Sequence, residues 1–227
     1  MKKLIVGLFA LGFTATALFT LYPKNAEASV EKQIDDNTTL LAQQIQNEIS
    51  NKTKLSLSSN PYDYIKDSEE YENIVKLGYK AFPVLEKKID ESEGSGLFDY
   101  IYAAAIEEIA KVNLKEDDPT PWDTGEKFSE KWKVKLESIP GNVEKIASSS
   151  EQSDDDKIRS LTKLGLPAVP FIIDQVEAGK TELFPAIQYL VSDSGELSKS
   201  ISPVDSAQWT KENKAKFDDL KKYVLEK

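Results

Sequence analysis

The sequence contains no cysteine and no histidine, and Arg159 is its only arginine. Without cysteine, the chain can form no disulfide bond and has no thiol nucleophile. Without histidine, it cannot assemble a Ser-His-Asp triad, and it lacks both of the ligand types that zinc prefers. These absences exclude several enzyme mechanisms, and we predict that the protein uses no metal ion and no other cofactor.

The chain is strongly acidic, with 39 Asp and Glu residues against 29 Lys and Arg residues and a formal net charge of -10. Nucleic-acid-binding surfaces are normally basic and rich in arginine, so this composition predicts no nucleic-acid partner. An acidic surface also repels anionic lipid headgroups. Hydrophobic residues make up 40% of the chain, which is enough to build a packed core.

The first 28 residues have the three-part pattern of a secretory signal peptide. Lys2 and Lys3 form a positive start, residues 4–21 are an almost uncharged apolar run, and Ala26 and Ala28 form a signal peptidase site. We predict cleavage after Ala28 and a secreted or extracytoplasmic mature chain without a membrane span. An uncleaved N-terminal anchor is the alternative, because the apolar run is nearly long enough to cross a bilayer. This lysine-rich, cysteine-free pattern resembles that of secreted and envelope proteins of Gram-positive bacteria.

Helical patterns dominate the rest of the chain, and strand patterns are scarce. Residues 29–59 are predicted to form a helical lead-in and linker, because Leu41, Ile45 and Ile49 recur every four residues before a polar stretch. A later helix is expected to end at Gly141, which directly follows a proline. Together these patterns predict an all-α fold.

Two stretches of the chain are nearly the same and begin 87 positions apart, at Lys76 and Lys163. The first is KLGYKAFPVLEKKI and the second is KLGLPAVPFIIDQV. Trp122 and Trp209 are related by the same shift. Agreement that returns so far along the chain is hard to attribute to chance, so we predict an internal duplication.

The two predicted repeat units, residues 60–146 and 147–227, share a pattern that resembles a HEAT-like helical repeat. The first copy of the pattern is carried by Leu77, Gly78, Ala81, Pro83, Leu85 and Ile89. The second copy is carried by Leu164, Gly165, Ala168, Pro170, Ile172 and Val176. Glycine suits a left-handed helix end and proline suits the first turn of the next helix. The resemblance implies a short α-solenoid of two similar HEAT-like lobes.

Three polar patterns have a catalytic or metal-binding interpretation, and for each of them we favour a structural one. Glu107 and Glu108 are adjacent on a helix, where side chains point about 100° apart, so we expect a solvated helix edge. Residues 154–156 are three aspartates that suit calcium, but also the start of a helix. Ser160 and Lys163 match the spacing of penicillin-recognising enzymes without the accompanying motifs.

The candidate binding residues are Tyr100, Tyr102 and Trp122 with Asp117 and Asp118, where the two repeat units differ. Aromatic side chains combine a large contact area with a polar group, as a strip that binds sugar or peptide requires. Such a strip would also include Trp132, Tyr189 and Trp209. At helical spacing, aromatic residues more often pack in the core, and we expect this for the two repeat-related tryptophans.

These features predict a secreted or envelope-associated helical-repeat module that binds a protein partner and catalyses no reaction. One alternative is a hydrolase of envelope glycan, because the chain is rich in carboxylates and glycosidases need only two. Another is a ligand-binding or inhibitory protein that uses the acidic, aromatic surface.

Overall fold

The computed structural model describes residues 15–92, 96–116, 120–192 and 205–227, with side chains from residue 28 onward. Within these ranges every regular element is a helix and no strand is present, so the predicted all-α class is confirmed. None of the helices in this part of the chain has both the length and the apolar character needed to cross a membrane.

Eleven α-helices follow one another in the described ranges and are numbered here in chain order. They are α1 (Ala15–Ser50), α2 (Pro61–Ile65), α3 (Glu69–Val75), α4 (Phe82–Asp90), α5 (Leu97–Ala110), α6 (Gly125–Ala147), α7 (Asp154–Thr162), α8 (Val169–Glu177), α9 (Phe184–Val191), α10 (Ser206–Asn213) and α11 (Asp218–Leu225). Short 3-10 turns lie at Leu55–Leu57, Gly78–Ala81, Leu166–Ala168, Thr181–Leu183 and Lys214–Phe217.

Serine residues cap helices in both halves of the chain, because their oxygen satisfies an N–H that has no partner inside the helix. At the start of α3, Ser68 Oγ accepts a hydrogen bond from the backbone N–H of Tyr71 at 3.2 Å. At the start of α7, Ser153 Oγ accepts one from the N–H of Asp156 at 3.2 Å. Residues 154–156 form the first turn of α7, where carboxylates interact favourably with the positive helix end.

The predicted lead-in contributes directly to the core. Val30 is the first side chain that the structure places there, and Ile34, Leu41 and Ile45 follow on the same face of α1. This face packs against α3 and the turn at Gly78–Ala81. Ile49 is 48% exposed, so its expected place on the buried face is wrong. Eight residues at 100° each turn the helix about 80° past two full circles, which carries residue 49 off the face that holds residue 41.

The long helix α6 lies at the centre of the fold and contacts α4, α5, α7, α8 and α11. Phe128, Trp132 and Leu136 repeat at four-residue spacing on its buried face, and all three are fully buried. Phe82 of α4 packs edge-on against Trp132, with ring centroids 5.5 Å apart. The aromatic spacing therefore marks the core of the protein.

The helix α6 does not end at Gly141, and that expectation is wrong. It continues through Pro140 to Ala147. A proline inside a helix costs about 3 kcal/mol, since it lacks a donor and crowds the preceding turn. Ile139 and Val143 are buried on either side of it, at 0% and 1% exposure. The free energy gained by burying these two side chains together is of similar magnitude to the cost of the proline, which accounts for the continued helix.

Corresponding elements of the two similar stretches have matching bounds. Both α4 and α8 are nine residues long, begin 87 positions apart and carry proline at the second position. Gly78 and Gly165 precede them, with positive φ values of 64° and 84°. Trp122 and Trp209 are both buried, but Trp122 lies in the coil before α6 and Trp209 lies within α10. The shift of 87 thus relates α4 to α8 more closely than it relates the segments around the two tryptophans.

Candidate functional site

An open groove of about 660 Å³ lies between α2, α3, the end of α5 and the segment that follows α5. We call it the acidic groove. Its charged and phenolic lining residues are Tyr62, Tyr71, Glu107, Glu108, Lys111, Lys115 and Glu116. Three carboxylates, two ammonium groups and two phenols therefore meet at one surface depression.

Glu107 fixes the segment that follows α5. This helix ends at Ala110, and the next residue, Lys111, adopts the left-handed conformation with φ of 55°. The chain then turns back, and Glu107 Oε1 accepts hydrogen bonds from the N–H of Leu114 at 2.7 Å and from Nε1 of Trp122 at 3.4 Å. Glu107 is half-buried as a result, so the expectation of a solvated helix edge is wrong for this residue. Burial raises the pKa of its carboxyl group, while these hydrogen bonds and Lys115 act in the opposite direction.

Glu108 is exposed and points towards α3 instead. Tyr71 donates a hydrogen bond from its hydroxyl group to Glu108 Oε2 at 2.8 Å. Burial, and then this interaction with Glu108, raise the pKa of Tyr71. The phenol therefore stays protonated at physiological pH and remains a donor. The neighbouring carboxylates thus have different partners, as the angle of about 100° between adjacent helical residues requires.

Lys115, which lines the acidic groove, lies against two aromatic rings. Its Nζ is 3.7 Å from the ring centroid of Trp122 and 5.6 Å from that of Tyr62. The backbone N–H of Lys115 donates to Asn113 Oδ1 at 2.9 Å, which holds the main chain at this point. An ammonium group is attracted to the negative face of an aromatic ring, most strongly to that of tryptophan.

The structure places the predicted binding residues at different sites. Trp122 is buried beneath the Nζ of Lys115, and Tyr100 packs against it with ring centroids 5.4 Å apart. Tyr100 also donates a hydrogen bond to the carbonyl of Asp123. Tyr102 lies on another side of α5, where its hydroxyl donates to Thr38 Oγ1 of α1 at 3.2 Å. Asp117 and Asp118 lie outside the described residues.

The other aromatic residues of the proposed strip do not share a surface. Trp132 is fully buried and Trp209 is 4% exposed, whereas Tyr189 is 62% exposed. Lys111 Nζ lies 5.6 Å from the Tyr189 ring centroid and also donates to the Tyr189 carbonyl at 3.1 Å. No continuous strip is formed by this set in the part of the chain that the structure describes.

A second groove, of about 560 Å³, lies between α4 and α6 and is also acidic. Glu86, Asp90, Glu126 and Glu130 line it together with Lys133. Across the described ranges, no group of three or more carboxylates is arranged to hold a metal ion. The acidic groove therefore offers the more varied chemistry, because it combines carboxylates, phenols and an ammonium group against tryptophan.

No protein-family model, no curated protein and no solved structure matches this chain. The interpretation of the acidic groove therefore depends on its own geometry. Tyr62, Tyr71 and Lys115 were not predicted from the sequence, because they lie in three separate segments. The hydrogen bond between Glu107 and the turn after α5 is the feature that brings these residues together. That contact has no local signal in the sequence.

We expect Glu107→Gln to change how the free energy of unfolding depends on pH. The glutamine oxygen can still accept from the N–H of Leu114, so the segment after α5 should stay in place. Burial raises the pKa of Glu107 above its ordinary value of 4.5, so the folded protein retains this proton to higher pH than the unfolded chain. The resulting stabilisation is complete below pH 4.5 and is lost as the pH rises through the folded value.

Urea unfolding across this pH window tests the expectation. Relative to Glu107→Gln, the wild-type protein should lose stability as the pH rises above 4.5. Glu126→Gln is the matched control, since Glu126 is exposed and lines the second groove. Parallel stability curves for the wild type and Glu107→Gln would contradict the assignment of a buried carboxyl group.

Proposed function

We propose that the protein is an exported helical-repeat module that binds a cationic segment of a protein partner at the cell envelope. The observation that carries this proposal is the acidic groove, in which Glu107, Glu108 and Glu116 line one depression. The net charge of -10 adds a long-range attraction for basic partners. The groove also contains Tyr62 and Tyr71, and phenols are typical of surfaces that recognise peptides.

Two HEAT-like units form the scaffold in this proposal. The matching bounds of α4 and α8 support it, together with the positive φ values of Gly78 and Gly165. In helical-repeat proteins, neighbouring helix pairs bury each other's apolar faces and leave a surface that binds partners. The acidic groove lies at the end of α5 and includes residues of the connection from α5 to α6.

Export is the second part of the proposal. The buried residues of α1 begin at Val30, two positions after the expected cleavage site at Ala28. A chain that starts at Ser29 therefore keeps every side chain of α1 that the structure describes as buried. The first 14 residues of the predicted signal peptide lie outside the described residues. Mass spectrometry of the protein recovered from a bacterial culture medium would identify its N-terminus.

Charge reversal in the acidic groove tests the binding function. We expect the double substitution Glu108→Lys with Glu116→Lys to weaken binding of a fluorescent lysine–glycine repeat peptide by at least about tenfold, because charge complementarity governs such contacts. Binding to the wild type should also decrease with added salt. The matched control is Glu126→Lys with Glu130→Lys, which reverses the same charge on the second groove.

The same variants serve as bait in a pull-down from envelope extract. The cognate protein would be enriched by the wild type and by the control variant. It would not be enriched by the variant with reversed charges in the acidic groove. Equal peptide binding by both double variants would contradict the assignment to the acidic groove.

A glycan hydrolase is the second candidate, and the environment of Glu107 and Glu108 favours it over other enzyme classes. A carboxyl group with a raised pKa beside an exposed carboxylate is the kind of pair that acid–base catalysis of glycoside hydrolysis uses. Release of soluble sugar from cell-wall polymer, abolished by Glu107→Gln, would support this candidate. The absence of release by the wild-type protein would remove it.

A further inference from the structure

The contact of Lys115 with two aromatic rings resembles a filled binding site. Trp122 and Tyr62 provide ring faces at 3.7 and 5.6 Å from the ammonium group. The Glu107 carboxylate accepts a hydrogen bond from the indole N–H of Trp122, so an acidic group lies at the edge of the Trp122 ring. Aromatic faces with an adjacent carboxylate are the features by which proteins recognise alkylammonium groups. We call Tyr62, Glu107 and Trp122 the ammonium box.

The main chain around Lys115 is held independently of its side chain. Leu114 is fixed by its hydrogen bond to Glu107, and the N–H of Lys115 is fixed by Asn113. The lysine side chain has four rotatable bonds beyond this anchored backbone, so it can leave the box without movement of the chain. The rest of the acidic groove is open to solvent beside it. A ligand that binds in the groove would therefore meet the box.

We infer that the ammonium box binds a lysine side chain of the partner segment, and that Lys115 occupies the box in its place when the partner is absent. This inference rests on the proposed function and identifies the residue of the partner that the groove recognises. The internal lysine competes with the ligand at an effective concentration in the millimolar range, which is typical for a short tether. Lys115 thus weakens the binding of a ligand that offers only one ammonium group, whereas a partner with several groove contacts can displace it.

The probe for a direct test is n-butylammonium chloride, which has the charge and the chain of a lysine side chain. Its binding to the full protein is followed through the indole N–H resonances of the three tryptophans by NMR. Trp122→Phe in the Lys115→Ala background identifies the resonance of Trp122. In Lys115→Ala, we expect this resonance to shift in a saturable way, with an affinity about tenfold higher than in the wild type. Butanol and sodium chloride at the same concentrations should cause no saturable shift.

Lys111→Ala is the matched control, because it removes a positive charge from the same groove while leaving the box intact. Its affinity for the probe should rise far less than that of Lys115→Ala, because only a general charge effect is removed. A Lys115→Ala protein that keeps its melting temperature but shows no shift at Trp122 would overturn the inference. Equal gains in Lys111→Ala and Lys115→Ala would also overturn it, since the effect would then be a general change in charge.

The outcomes separate this inference from the proposed function. If the lysine–glycine peptide binds the wild type and Tyr62→Leu equally well, the groove binds cations without the box, and only the inference fails. If the peptide does not bind, but n-butylammonium binds the box in Lys115→Ala, the proposed function fails and the ammonium site stands.

Discussion

Replacing Gly165 by alanine is expected to destabilise the protein by about 4 kcal/mol, which combines backbone strain with overpacking. Gly165 has φ of 84° and ψ of -179°, a region that is essentially restricted to glycine. An alanine Cβ at this position would lie 2.5 Å from the carbonyl oxygen of Ala110 and 2.3 Å from Cγ1 of Val112. The carbonyl belongs to the last turn of α5 and cannot move without disturbing that helix end.

The matched control is Gly78→Ala, at the corresponding position of the other stretch. Gly78 also has a positive φ, of 64°, but an alanine Cβ there would meet no atom within 4 Å. Its substitution should therefore cost only the left-handed backbone penalty of about 1–2 kcal/mol. Urea unfolding of both variants measures the difference. Equal losses of stability would contradict the close contact between Gly165 and the end of α5.

This contact also connects the second similar stretch to the acidic groove. Val112 lines the groove and Ala110 ends α5, and both lie against Gly165. Glycine at 165 thus allows the turn before α8 to approach the segment that positions Glu107 and Lys115. We expect Gly165→Ala to weaken binding of the lysine–glycine peptide as well, whereas Gly78→Ala should leave it unchanged.

The sequence predicted the helix-forming stretches well because their signals are local. The start of α4 and α8 follows from glycine and proline at fixed spacing, and the start of α7 follows from Ser153 and the acidic turn after it. It did not predict the passage of α6 through Pro140, because the burial of neighbouring side chains decides that point. The repeat likewise predicts two equivalent glycines, but only tertiary packing determines which one a neighbouring backbone approaches.

The candidate site was less predictable than the fold for the same reason. Trp122 was expected to pack in the core as a tryptophan shared by both units, and it is buried, with one ring face against Lys115. Glu107 was expected at a solvated edge, since a helical pattern does not reveal that the chain turns back over it after Lys111. Tyr71 and Glu108 are 37 positions apart, and their hydrogen bond depends on how α3 packs on α5.

The second large effect is expected at a buried polar chain between α4, α6 and α11. Trp132 Nε1 donates to the hydroxyl of Tyr223 at 2.9 Å, and this hydroxyl donates to Glu86 Oε2 at 2.7 Å. Lys227 forms an ion pair with the same carboxylate oxygen. Burial and the charge of Glu86 raise the pKa of Tyr223, so its hydroxyl remains a donor. The carboxylate therefore depends on Tyr223 and Lys227 for compensation of its charge.

We expect Lys227→Ala to destabilise the protein by about 2–3 kcal/mol, because it leaves a largely buried carboxylate without its counter-charge. The side chains of Glu86 and Lys227 are only 10% and 19% exposed. Lys222→Ala is the matched control near the same chain end, since the Lys222–Glu226 pair is 72% and 63% exposed and should contribute less than about 0.5 kcal/mol. Thermal and urea unfolding provide both values.

The double substitution Glu86→Gln with Lys227→Ala separates the ion pair from simple packing. A neutral amide at position 86 needs no counter-charge and can still accept a hydrogen bond from the hydroxyl of Tyr223. Adding Glu86→Gln to Lys227→Ala should therefore recover more than half of the stability that Lys227→Ala loses. If the double variant is as unstable as the sum of the two single variants, the charge of Glu86 is not what Lys227 compensates. Recovery would instead identify this ion pair as the link that holds the end of the chain, after the last helix, against α4.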